Sequence, residues 1–204
     1  MKLLFIGMQG SGKGTQAQII SQSLKIPHIS TGDLLRNVTG ELKKEVDSYI
    51  AIGKLVPDEL IIRTLKERIS KEDCKNGFIL DGFPRNIEQA KALDKITNID
   101  EIIEISISDD EAIKRISSRI SCKNCGSVYN LITNPPKISN KCDKCSSELV
   151  QRADDTFNAI KKRLEIYHNE TKPILQHYKS IKVNGLQSID KVFNDIKIAL
   201  NNGK

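Results

Sequence analysis

The sequence predicts an α/β protein: a parallel β-sheet covered by helices on both faces and interrupted by one insertion of different character. Three observations carry that prediction. Short apolar runs alternate with helix-like segments along most of the 204 residues. A glycine-rich stretch, Gly7-Met8-Gln9-Gly10-Ser11-Gly12-Lys13-Gly14-Thr15, joins the apolar run Leu3–Ile6 to a helix-like segment, Gln16–Lys25. Between Cys122 and Val150 the alternation stops, and two Cys-x-x-Cys pairs stand among turn formers.

The elements follow in order. Leu3-Leu4-Phe5-Ile6 reads as a buried strand, and Ile26–Ser30 as a short second one. Ser30 or Thr31 can cap the next helix. Asp33–Val38 and Glu41–Ile52 are two helical pieces broken at Gly40, with a turn at Gly53. Pro57-Asp58-Glu59 opens a helix well, because proline fits the first turn and acids favour its positive end. Gly77–Asp81 is a buried strand ending in an acid. Helix Glu88–Ile96, strand Ile102–Ile107 and helix Asp110–Arg119 follow. After the insertion a helix is expected from Ala153-Asp154-Asp155 to about His168, and a shorter one from Pro173 to Tyr178. Strand Ile181–Val183 and helix Ser188–Leu200 close the alternation. The apolar stripe Ile189, Val192, Phe193, Ile196 and Leu200 marks a packed face.

Composition sets bounds. The chain carries 32 Lys+Arg against 26 Asp+Glu, a net charge of +6, and no Trp. That balance suits a polyanionic partner, nucleotide or nucleic acid alike. No segment approaches the ~20 apolar residues of a membrane span. The N-terminal run is too short for a signal peptide, so a cytoplasmic location is expected. Thiols stay reduced there, and paired cysteines point to metal rather than to disulfides.

The glycine-rich stretch has the form of a phosphate-cradling loop. Its glycines let the backbone wrap around phosphate oxygens, and amide N–H groups at the helix start point at the anion. Lys13 supplies a mobile charge to the outer phosphates. Gly14 stands where Ser or Thr usually follows the lysine, and Thr15 comes next. Cys122, Cys125, Cys142 and Cys145, with sixteen residues between the pairs, supply four thiolates for tetrahedral zinc. Four thiolates leave no open coordination position, so this Zn²⁺ is expected to be structural. Cys74 stands alone.

Phosphoryl transfer needs several cations around one group, since its transition state spreads charge over the oxygens. Lys13, Arg36, Arg85, Arg115, Arg119, Arg152 and Arg163 are the candidates. Arg85 follows the strand end Asp81-Gly82-Phe83-Pro84, on the side where the phosphate loop opens. Asp81 is placed to hold waters of Mg²⁺. His28, His168 and His177 lie near no nucleophile pattern, and structural roles are expected for all three.

Taken together, these residues resemble the adenylate kinase family, in its long bacterial form with a zinc-bearing lid. The resemblance is carried by Gly12-Lys13-Gly14-Thr15-Gln16, Ser30-Thr31-Gly32-Asp33-Leu34-Leu35-Arg36, and Phe78-Ile-Leu-Asp-Gly-Phe-Pro-Arg85 with Gln89. The four cysteines with Asn134-Pro135-Pro136, and Arg152-Ala-Asp154-Asp155 leading to Arg163, extend it over nearly the whole chain.

The resemblance implies a P-loop kinase fold with a helical insertion for the nucleoside monophosphate and a small zinc-knuckle lid. Residues 1–29, 57–118 and 156–204 would form the core, 30–56 the acceptor segment and 119–155 the lid. The implied reaction is ATP + AMP ⇌ 2 ADP with Mg²⁺. Gly10, Ser11, Gly12, Lys13, Gly14 and Thr15 would hold the ATP phosphates. Arg119, Val128 and Tyr129 would close over the nucleotide, and Gln187 would lie by its adenine. Thr31, Arg36, Lys54, Leu55, Val56, Gly82, Phe83, Pro84, Arg85 and Gln89 would bind AMP. Arg152 and Arg163 would reach the phosphates from the lid side, and Asp154 and Asp155 would help orient the closed lid. A monomer without nucleic-acid partners is expected.

Two departures stand out. Gln9 occupies a position that is usually proline in the family, so altered affinity is expected. The Arg36–Gly53 segment is shorter than in the long form, which bears on acceptor geometry. A pyrimidine monophosphate kinase shares the loop and the Asp-Gly-Phe-Pro-Arg run but usually has a short lid without cysteines. A zinc-ribbon nucleic-acid binder would want aromatics among its basic residues, and the insertion offers only Tyr129.

Overall fold

A computed structural model describes residues 1–202, with the side chains of Glu41, Leu42 and Asn202 outside the description. Strand β1 (Lys2–Ile6) lies at the centre of a parallel sheet with β2 (His28–Ser30), β3 (Phe78–Asp81), β4 (Glu101–Ser106) and β8 (Ile181–Asn184). The order is β2-β3-β1-β4-β8. Leu4 pairs with Leu80 on one side and Ile102 on the other, which fixes the register at the centre.

Because side chains alternate across a strand, β1 feeds two cores at once. Leu4 and Ile6 pack with Ile29, Leu80 and Leu93 on one face. Leu3 and Phe5 pack with Ile20, Ile103, Val192 and Ile196 on the other. Helix α1 (Lys13–Leu24) and helix α9 (Ile189–Asn202) cover that second face. The stripe predicted for α9 does the covering: Val192, Ile196 and Leu200 are buried there.

The first face is covered by α4 (Asp58–Ile69), α5 (Ile87–Ile96) and the shorter α2 (Thr31–Arg36) and α3 (Glu41–Ala51). Ser30 caps α2 through its side chain, which accepts from the Asp33 N–H, and Asn86 caps α5 by accepting from Gln89 N–H. The carboxyl ends of β1 and β3 therefore open on the same edge, where α1 and α2 begin. That is the edge at which parallel α/β sheets bind ligands.

Helix α6 (Asp109–Ser117) leads into the insertion. Turn formers dominate its sequence, yet it folds as a three-stranded antiparallel sheet. Strand β5 (Arg119–Cys122) lies between β6 (Val128–Asn130) and β7 (Leu149–Val150). Its core is small: Cys122, Tyr129, Cys142 and Leu149.

Several boundaries differ from expectation: α2 spans Thr31–Arg36 rather than Asp33–Val38, and α6 ends at Ser117, with Arg119 opening β5. Helix α7 runs Phe157–Ile166, not from Ala153, and Thr156 is its cap, accepting from Ala159 N–H. Asp154 and Asp155 mimic the acids of a helix start, but their carboxylates are engaged with arginines instead. Beyond Ile166 the chain makes a wider π-type turn, Tyr167–Thr171, before α8 (Ile174–His177).

Candidate active site

A cleft of about 730 Å³ opens at the sheet edge. Its floor is the glycine-rich loop. Gly10 and Gly12 take left-handed φ values of 80° and 96°. A Cβ at Gly10 would come within 2.9 Å of the Ala112 carbonyl oxygen, so both conformation and packing require glycine. Gly12 is the N-cap of α1, which turns the helix's first N–H groups toward the cleft. Ser11 Oγ is buried with no hydrogen-bond partner among the described residues.

Lys13 arches back so that Nζ donates to the Met8 carbonyl at 3.1 Å. Burial depresses its pKa to about 8. Asp81 opposes that shift, while Arg85 and Arg119 add to it. Asp81 itself titrates below the usual carboxylate range. Burial pushes it up, but the nearby His28 ring, 3.4 Å away, and the charges of Lys13 and Arg85 pull it down further. Gly14 has a physical reason to replace the usual hydroxyl residue: a Cβ there would stand 3.2 Å from Asp81 Oδ2.

One wall comes from α2 and the β3–α5 connection. Thr31 donates to the Asp81 carbonyl at 3.2 Å. Arg36 pairs with Asp33 at 2.9 Å and reaches Asp154 at 3.7 Å. Arg85 is pinned at both ends, Nε donating to the Gly82 carbonyl at 2.7 Å and its own carbonyl accepting from Thr171 at 2.7 Å. Burial lowers the pKa of its guanidinium. Lys54, Leu55, Val56, Gly82, Pro84 and Gln89 line this wall. Phe83 points away, its ring 1 % exposed in the core beneath the cleft.

The opposite wall holds the remaining arginines. Arg119 donates from Nε to Asp155 at 2.8 Å and from a terminal nitrogen at 2.5 Å. Arg163 is buried and donates to both Asp154 and Asp155, at 3.0 and 2.9 Å. Two acids thus hold three arginines, Arg36 included. Arg152 donates to Ser121 Oγ at 3.0 Å, and burial lowers its pKa to about 10, with Arg119 and Arg36 adding repulsion. Arg115 is neutralised locally by Glu111 at 2.6 Å. Gly10 through Thr15, Val128, Tyr129 and Gln187 also line the cleft, so Phe83 alone of the expected nucleotide-site residues stands behind it.

The four expected cysteines converge. All four Sγ atoms lie within 4.8 Å of one another, with Cys122–Cys145 at 3.4 Å and Cys125–Cys142 at 3.5 Å. Four sulfurs around zinc at about 2.3 Å would stand about 3.8 Å apart, so the cluster fits a tetrahedral ion. Tyr129 completes it, its hydroxyl 3.5 Å from Cys142 Sγ and accepting from Asp143 N–H at 2.8 Å.

A glycine-rich loop facing five arginines, with residues 31–56 on one wall of the cleft, is an arrangement suited to phosphoryl transfer. The family model described as adenylate kinase matches residues 5–183. The chain belongs to the adenylate kinase family. Adenylate kinases similar to it include that of Caldicellulosiruptor bescii, 50% identical over 88% of this chain and 87% of its own. Those of Thermosipho africanus and Clostridium botulinum are 46% and 44% identical. They cover 96% and 100% of this chain, and 97% and 100% of their own lengths. As a family member the chain is a nucleoside monophosphate kinase, and its relatives span essentially its whole length.

Against that adenylate kinase background, the sequence reading missed two cleft residues. His28 was expected to be structural, yet it lines the cleft with Nε2 3.4 Å from Asp81. Its neighbouring strand end was the available signal, since β2 pairs with β3 and Ser30 stands beside Asp81. Thr171, which holds the Arg85 carbonyl, is 86 residues away in sequence and left no local signal. His168 and His177 pair with Asp109 and Asp94, each at 2.9 Å, in exposed positions.

Proposed function

We propose that the protein transfers the γ-phosphoryl group of ATP directly to a phosphate oxygen of AMP, giving two ADP, reversibly and without a covalent intermediate. The observation that carries this is the convergence of Lys13, Arg36, Arg85, Arg119, Arg152 and Arg163 on one cleft. No nucleophilic side chain is needed for it. A loose transition state asks the protein for positioning and positive charge, and fixed guanidinium groups supply both.

In this reading Gly10 to Thr15 hold the ATP phosphates, with Lys13 facing the outer ones. Arg119, Val128, Tyr129 and Gln187 cover the ATP side. Thr31, Arg36, Lys54 to Val56, Gly82 to Arg85 and Gln89 hold AMP, Phe83 through its main chain. Arg152 and Arg163 meet the transferring group from the lid side. Mg²⁺ would enter with ATP and neutralise phosphate charge, Asp81 holding its waters: a single carboxylate beside the phosphate loop suits an ion that keeps most of its water. Zn²⁺ would be held by Cys122, Cys125, Cys142 and Cys145 as a fold-stabilising ion with no open position. Residues 1–29, 57–118 and 156–204 act as the core, 30–56 and 119–155 as the covers. The reading takes the protein as a cytoplasmic monomer, for which light scattering gives the oligomeric test.

The experiment is a coupled assay of ADP formation from ATP with AMP, CMP, UMP and GMP in turn. AMP is expected to be the preferred acceptor. Preference for UMP or CMP would make the protein a pyrimidine monophosphate kinase instead.

A further inference from the structure

The side-chain amide of Gln89 is gripped from two sides. Its Oε1 accepts from the backbone N–H of Arg85 at 2.7 Å, and its Nε2 donates to Asp58 Oδ1 at 2.6 Å. Both Asp58 oxygens also accept from Asn86 Nδ2, at 3.2 Å each. Asn86 in turn caps α5, accepting from Gln89 N–H at 2.7 Å. The Gln89 side chain is buried, yet the residue borders the cleft.

These partners leave the amide one orientation. A carboxylate can only accept and a backbone N–H can only donate. Turning the amide over would set its oxygen against the Asp58 carboxylate and its NH₂ against the Arg85 N–H. Two hydrogen bonds would be lost and two like-polarity contacts made.

An amide so held keeps one N–H and one lone pair uncommitted. The adenine edge offers a 6-amino donor beside the N1 acceptor, which matches that pair bidentately. A 6-oxopurine edge offers the reverse, an O6 acceptor beside an N1–H donor, and in the same seat it needs the inverted amide.

We propose that Asp58 is a positioning residue that sets acceptor-base preference, locking the Gln89 amide in the orientation that takes 6-aminopurines and refuses 6-oxopurines. The inference rests on the AMP-binding role proposed above for Gln89. Asp58 touches no substrate and acts only through Gln89, and it comes from α4, 31 residues before its partner.

The test compares AMP with inosine monophosphate, whose base has the same purine frame and differs at the 6-position and N1. In Asp58→Asn the new side chain can turn its NH₂ toward an inverted Gln89. The ratio of kcat/KM for AMP over inosine monophosphate is expected to fall about tenfold, the size of effect one misplaced polar pair produces. KM for ATP should hold, and the change should sit in the acceptor KM. Asp58→Ser, which removes the carboxylate and keeps a residue suited to a helix start, should lower the same ratio and serves if Asp58→Asn folds poorly. A general loss of packing would reduce both acceptors together, so an unchanged ratio in folded variants overturns the inference. Gln89→Ala separates the two levels. If it leaves KM for AMP unchanged, the adenine-edge role itself is wrong. If it raises that KM while the Asp58 variants keep the wild-type ratio, only the role of Asp58 fails.

Discussion

Asp155 holds Arg119 and Arg163 from behind the cleft wall, and replacing it with asparagine should cost both stability and catalysis. Its side chain is 0% exposed and accepts from Arg119 on both oxygens and from Arg163 on one. Asparagine preserves the volume but withdraws the charge from two guanidinium groups that stay in place. Breaking a buried pair from one side typically costs about 3–5 kcal/mol. The lower end applies here, because Asp154 still pairs with Arg163 at 3.0 Å and Arg119 is partly exposed. A loss of about 3 kcal/mol in a chain of this size lowers Tm by roughly 6–12 °C. The pH dependence carries the sign. Burial raises the Asp155 pKa, but hydrogen bonding and charge from Arg119 and Arg163 outweigh it, and the net shift is downward. The stability it contributes is therefore complete above the unfolded pKa near ~4 and is lost as pH falls through the lower folded value. Urea titrations of both proteins from neutral pH downward read this directly. The gap between wild type and Asp155→Asn should be wide at pH 7 and narrow in acid. A gap that is absent at pH 7, or constant across the range, would refute the reasoning.

Other expectations follow from the same site. Lys13→Ala should cut turnover by orders of magnitude with the fold retained, as activity and circular dichroism on one sample will show. With the Lys13 pKa lowered to about 8, its charge is present below that pH and lost above it, so kcat/KM for ATP should decline as pH rises past about 8; a flat profile to pH 9.5 would contradict the assignment. Stripping zinc, or Cys145→Ser, should lower thermal stability and loosen residues 119–155 while leaving measurable activity. Metal-free, folded, wholly inactive protein would make the ion catalytic. A bisubstrate analogue should draw residues 31–56 and 122–150 inward, because phosphoryl transfer must exclude water. Unchanged distances between labels in those segments and in the core would end the idea of gating.

Much of this was legible in the sequence because its determinants are local. The phosphate loop is read from adjacent glycines and one lysine, and the strands of the sheet from runs buried on both faces. The cysteine pairs announce themselves by spacing. Strand order was not legible: β3 slips between β1 and β2, a choice made by long-range packing of Leu80 and Ile79. Asp154 and Asp155 were misread as helix-opening acids because their partners, Arg36 and Arg119, come from other elements. Tyr129 shows another limit of local reading. It was expected to close over the nucleotide, and it lines the cleft; that its hydroxyl also meets the cysteine knuckle left no signal in the sequence. A side chain's second partner cannot be read from its first.

Direct transfer within one cleft is the central claim, and a rapid-quench single turnover tests it most directly. ATP labelled in the γ-phosphoryl group is mixed with excess protein and AMP, and the label is followed in nucleotide, protein and inorganic phosphate. The account predicts that label passes from ATP to the β-position of ADP derived from AMP, with none on the protein at any time. Label held on the protein, or released as inorganic phosphate while AMP stays unconverted, would contradict it.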